Sequence, residues 1–209
     1  MKKAGYRSAL VGKWHLGTLP DFGPLQSGYD HFYGFRAGVL DYFTHKYGPP
    51  SSDTEDLWED DVKIRQSGYL TDLLGNRAVD VVDAYAKSGQ PFLVSLHFNA
   101  PHWPWEAPGD EAESLRLEKL FHFDGGSQRT YRRMIQQVDL QVGRVLQALD
   151  PNGAAENTIV VFTATMAASA IPTLGRSPAE RPSCWRAACA SRRWFAGRPA
   201  LHRAAFRTR

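Results

Sequence analysis

Hydrophobic and polar positions follow two different periods along this chain, and each change of period marks an element. The run Ser8-Ala9-Leu10-Val11 before Gly12 predicts a short buried strand. Ahead of it, Lys2-Lys3-Ala4 ends at Gly5 in the manner of a helix stop, so the chain is expected to open inside an α/β crossover whose first strand is missing. Residues 17–66 are rich in Gly, Pro, Asp and aromatics without a sustained period, and they read as a long surface excursion with short turns. Over 69–87, Leu70, Leu73, Leu74, Ala78, Val81, Val82 and Tyr85 recur at helical spacing, which predicts a helix with one buried face. Residues 92–98 predict a strand, and 128–149 a second amphipathic helix ended by Asp150-Pro151-Asn152-Gly153. The β-branched run over 158–163 predicts a central strand of a mostly parallel sheet. Helices alternating with apolar strands in this order predict an α/β fold built as a three-layer sandwich. Because its first strand is missing, such a sheet is expected to expose an apolar edge and to give poor solubility.

The charge is unevenly spread. Residues 1–163 carry 16 Lys and Arg against 21 Asp and Glu, whereas 164–209 carry 9 Arg and no Lys against the single Glu180. An Arg-rich tail can be a nucleic-acid or membrane arm, but such arms mix Lys with Arg and leave out Trp and Cys, so no nucleic acid is expected as a partner. Both cysteines, Cys184 and Cys189, lie in this tail without a metal-binding spacing. The apolar runs are too short to cross a bilayer and no secretion signal opens the chain, which leaves the compartment open.

Three residues stand out for their chemistry. Lys13 and His15 follow the first strand two residues apart, so in an extended chain both project to one side and could hold a tetrahedral anion between an ammonium and an imidazole. The alternative is a solvated Lys beside a His that caps local backbone. His102 lies just past the C-terminal end of the 92–98 strand, where ligand sites in open α/β sheets gather. Flanked by Pro101, Trp103 and Pro104, it either positions a catalytic acid or packs in a stiff loop. Tyr42, Phe43 and His45 either line a sugar or aryl pocket or serve as packing residues.

The string AGYRSALVGKWHLG over 4–17 closely resembles the second signature of the sulfatase family, and GYDHFYGF over 28–35 resembles the stretch that follows it. PFLVSLHFNAPHWPWEAP over 91–108, QQVDLQVGRVLQALD ending at Asp150 and NTIVVFT ending at Thr163 continue the likeness in the same order. The resemblance implies an alkaline-phosphatase-like fold, incomplete here, and hydrolysis of a small-molecule or glycan sulfate ester. In that family a formylglycine attacks sulfur as its hydrate while a calcium ion polarises the sulfate. Carried over by motif, Lys13 would contact sulfate, His15 would hydrogen-bond the formylglycine hydrate, and His102 would contact the ester oxygen and protonate the leaving group.

No Cys/Ser-x-Pro-x-Arg motif, from which the formylglycine is made, stands in residues 1–163, and the family's aspartate pair for calcium is also missing. Both are expected upstream of Met1, so no metal ligand is assigned and the chain as written is expected to be inactive. The family continues after its FT strand with Ser-Asp-Asn-Gly, where this chain reads Ala164-Thr165-Met166-Ala167. Writing residues from Ala164 as GCG ACA ATG GCG GCG AGC GCT ATT CCG, prefixing one A and regrouping gives Ser-Asp-Asn-Gly-Gly-Glu-Arg-Tyr-Ser. A partial catalytic domain over 1–163 and an out-of-frame, poorly ordered tail over 164–209 are therefore expected. The competing functions are a non-catalytic binder of sulfated glycans and another phospho- or phosphonate hydrolase of the same superfamily.

Overall fold

The computed structural model describes residues 1–117, 126–151, 153–163 and 194–196. The chain divides into two units, Met1–Asn152 and Gly153–Arg209. The first is built on a mixed sheet whose strands are β1 (Arg7–Lys13), β2 (His31–Phe35), β3 (Trp58–Glu59), β4 (Val62–Lys63) and β5 (Phe92–His97). Their spatial order is β4-β3-β2-β1-β5. β2, β1 and β5 run parallel, and the β3–β4 hairpin adds antiparallel to β2. Helix α1 (Leu70–Ser88) crosses between β4 and β5, a one-turn helix α2 (Glu111–Ser114) follows, and α3 (Gln128–Gln147) packs on α1.

Parallel strands need both faces covered, and the sequence of β1 supplies apolar residues for both. Ala9 and Val11 join Tyr33 and Phe35 of β2 in one core with Leu70, Leu74, Ala78 and Val81 of α1. Leu10 and Phe32, on the other face, are also buried. The expected α1 forms with the expected buried stripe, and Gly89 in the left-handed conformation ends it. Gly5 likewise ends a short 3₁₀ turn over Lys2–Ala4. Helix α3 starts at Ser127, whose hydroxyl accepts from the Thr130 amide, as an N-cap should.

Two sequence expectations need correction. The 17–66 excursion contains β2, a central parallel strand; its His-Phe-Tyr-Gly-Phe holds three aromatic strand formers, but it is only five residues long and is interrupted by a glycine, so no sustained period marked it. The sheet's edge strands are β4 and β5, and Leu93, Val94 and Leu96 of β5 are only half-buried, while β1 sits inside the sheet between two partners. The apolar run at 158–163 forms β6 (Val160–Phe162), but in the second unit it pairs antiparallel with β7 (Trp194–Ala196). Ile159, Val161 and Phe162 are exposed there, because a β-branched run specifies an extended chain without specifying which strand it joins. The expected tail over 164–209 falls, apart from β7, outside the described residues.

Candidate functional site

Carboxyl ends of the parallel strands meet at one edge of the sheet, and the candidate residues leave from there. Gly12, Gly34 and His97 stand side by side on β1, β2 and β5. A β carbon on Gly12, whose φ is 118°, would overlap the carbonyl of His97, so glycine is what allows these strands to approach. His97 closes the rung: its Nδ1 donates to the carbonyl of Lys13 at 3.1 Å.

Lys13 ends β1, and its ammonium donates to the carbonyl of Gly38 at 2.5 Å. Half-burial strips part of its hydration and lowers its pKa below the ordinary 10.5. The chain does not continue extended to His15, as spacing alone suggested. His15 has φ 55°, a left-handed turn held by its amide to the carbonyl of Arg36 at 3.2 Å. That turn carries the imidazole over Gly38, where a β carbon would lie 2.5 Å from Nε2. Lys13 and His15 thus meet at one glycine, through a turn rather than a strand.

The chain leading into this glycine is held by a carboxylate. Asp56 is buried, and its Oδ2 accepts from the amides of Arg36 at 2.9 Å and Ala37 at 2.6 Å, while Oδ1 accepts from Trp58 Nε1 at 2.6 Å. Sequence reasoning missed Asp56, which lies in the aperiodic excursion. The available signal was an acidic residue two positions before an aromatic, a pattern too common to single out.

His102 lies on the loop after β5. Its amide donates to the carbonyl of Asn99 at 2.8 Å, and its Nδ1 donates to the carbonyl of Trp103 at 3.0 Å. A carbonyl can only accept, so Nδ1 carries the hydrogen and Nε2 holds the lone pair of the neutral ring. The carbonyl of His102 accepts from the hydroxyl of Tyr42 at 3.1 Å. This loop is anchored to the segment after β2 by Tyr42. Trp103 and Trp105 stack beyond it with ring centroids 4.2 Å apart.

Among the aromatic candidates, Tyr42 is fully buried and stacks on Tyr69 at 5.3 Å, so it serves as a packing residue. Phe43 and His45 do border a cavity of about 270 Å³ together with Thr44, Glu55 and Arg65. His45 is nonetheless buried, donates from Nε2 to the carbonyl of Gly68 at 3.0 Å, and has its pKa lowered by desolvation. Among the described residues, no three His, Cys, Asp or Glu side chains gather as metal ligands, so calcium has no cradle there and no step runs through it. Both cysteines lie outside the described residues.

A sulfatase family model matches residues 1–164. The chain belongs to the sulfatase family. It is 30% identical over 182 residues to the uncharacterized sulfatase YdeN of Escherichia coli, covering 76% of this chain and 30% of that one. It is also 30% identical over 181 residues to human N-acetylgalactosamine-6-sulfatase, covering 82% of this chain and 32% of the relative. The chain therefore spans about a third of the length of these sulfatases. Among solved structures, Ps i-CgsB in complex with k-i-k-neocarrahexaose superposes with a TM-score of 0.63 at 30% identity, covering 78% of this chain and 38% of that one. The Bacteroides fragilis protein yidJ gives 0.54 at 25% identity, covering 78% of this chain and 41% of that one. The sheet and helices of the first unit are accordingly an incomplete alkaline-phosphatase-like fold.

Proposed function

We propose that residues 1–163 carry the sulfate-facing part of a sulfuric ester hydrolase site, with sulfated glycans as the substrate class. The observation that carries the reading is the meeting of Lys13 and His15 at Gly38: a half-desolvated ammonium and an imidazole share one small surface at the carboxyl edge of a parallel sheet. Fixed donors in such a place stabilise the charge that grows on sulfate oxygens as the ester bond breaks. Lys13 and His15 hold the sulfate, and His102, whose Nε2 bears the lone pair when neutral, protonates the leaving ester oxygen in its charged form. Similarity to an N-acetylgalactosamine-6-sulfatase and to a structure in complex with k-i-k-neocarrahexaose supports a glycan sulfate ester as substrate.

Calcium and formylglycine belong to this proposal only through the family. The reading shift after Thr163 belongs to it as well: the regrouped codons return Ser-Asp-Asn-Gly where the family carries further metal ligands. Two measurements test these points. Calorimetry of the whole chain with millimolar sulfate or a sulfated monosaccharide should give heat, weakened by His102→Ala; no heat at all removes the site. Resequencing the DNA around codon 163 should restore the motif, and a verified unshifted gene removes the shift.

A further inference from the structure

Glu106 is fully buried, four residues after His102, in a place where a carboxylate has little to gain. Its Oε2 accepts from the amide of Tyr42 at 3.0 Å, and its carbonyl accepts from the hydroxyl of Tyr69 at 2.7 Å. Oε1 is buried with no hydrogen-bond partner among the described residues. The neighbours do not favour a second charge. Asp41 lies alongside and is already supplied with donors: its Oδ1 accepts from the amides of Phe43 at 2.9 Å and Thr44 at 2.7 Å, and both its oxygens accept from the Ser114 hydroxyl. Asp110 adds a second negative charge from the start of α2, and Tyr42 and Tyr69 are neutral phenols.

An unpartnered buried acceptor is costly, whereas a proton on Oε1 makes it a donor beside an acceptor. Desolvation first, and then the charge of Asp41, push the Glu106 carboxyl up to about 9, in line with that geometry. We propose that Glu106, carrying its proton, is the positioning residue that locks the His102 loop onto the loop after β2. It acts with Tyr42, which offers its amide to Glu106 and its hydroxyl to the carbonyl of His102. Loss of the proton puts two adjacent buried carboxylates in one pocket and releases the loop. The inference rests on the reading of His102 as the leaving-group acid, but the lock itself is a property of the loop.

The test uses the full chain. The ¹⁵N shifts of the His102 ring report whether Nδ1 keeps its hydrogen, and the near-ultraviolet dichroism of the stacked Trp103–Trp105 pair reports loop order against pH, with far-ultraviolet dichroism recorded alongside. In the native chain the Trp signal should fall with a midpoint near pH 9 while helix content persists. Glu106→Gln, which keeps the acceptor for Tyr42 and donates to Asp41, should hold both signals through pH 10. Glu106→Ala should lose both at pH 7. A native titration that survives unchanged in Glu106→Gln, or a Gln variant that misfolds or resembles Glu106→Ala at pH 7, overturns the proposal. If these signals behave as expected while sulfate gives no heat in any variant, the loop lock stands and the anion site falls.

Discussion

The imidazole of His15 lies against the α carbon of Gly38, with no space between them for a methyl group. Gly38 also accepts the Lys13 ammonium, so its backbone sets where both candidate sulfate contacts stand. Gly38→Ala is expected to push the His15 ring aside while leaving the core intact, since Gly38 needs no left-handed backbone. Sulfate affinity should fall about tenfold or more, roughly 1.4 kcal/mol, with little change in unfolding midpoint. Equal calorimetric affinity in variant and native chain would remove Gly38 from the site.

Lys13 gives a pH signature. Its pKa is lowered by desolvation, so in the free chain the ammonium begins to lose its proton below pH 10.5, the ordinary value. Sulfate binds the charged form, so affinity should decline as pH rises through that lowered value, and bound sulfate should restore the proton. Lys13→Met should bind weakly at every pH and show no such decline. A decline that persists in the variant assigns the titration to another group.

Gly12 should tolerate no side chain. A β carbon there would strike the His97 carbonyl on the neighbouring strand, and φ 118° is strained for any residue but glycine. Gly12→Ala is expected to destabilise the first unit by more than about 3 kcal/mol, read by urea unfolding. A loss below about 1 kcal/mol would mean that the strands can part without cost.

Two buried groups should tilt stability in opposite directions with pH. His45 has its pKa held below the ordinary 6.5 by burial, so the unfolded chain binds its proton first and stability is lost as pH falls below 6.5. Glu106 holds its proton up to about 9 against an ordinary 4.5, so its contribution is complete below 4.5 and is lost as pH rises through 9. Each full proton corresponds to about 1.4 kcal/mol per pH unit within its window. Urea midpoints across pH should lose the slope below 6.5 in His45→Gln and the opposite slope between pH 4.5 and about 9 in Glu106→Gln. Unchanged slopes in either variant would show that the named residue is not the one titrating.

Much of the scaffold was legible before any coordinates. Leu70, Leu74, Ala78 and Val81 repeat at helical spacing, and they are the residues buried against β1 and β2. The β5 strand and its following His102 loop, the α3 span and the glycine stops were equally plain. Such features are local: a period of 3.6 or a run of apolar residues reports the environment of its own segment. β2 was not legible, because Tyr33 and Phe35 owe their burial to α1 and β1, which lie far away in sequence. The partner of β6 was hidden for the same reason.

Sequence alone determined which residues carry charge and rings near the strand ends, and through its motifs it determined the family. Tertiary structure decided what those residues meet. It bent the chain at His15 so that Lys13 and His15 share Gly38, and it set Asp56 on the amides of Arg36 and Ala37 that lead into that glycine. It also brought Glu106 beside Asp41 although 64 residues separate it from its partner Tyr42. The physical reason is range. Periodicity and turn chemistry act over a few residues, whereas desolvation and a shared proton depend on atoms brought together only when distant segments pack.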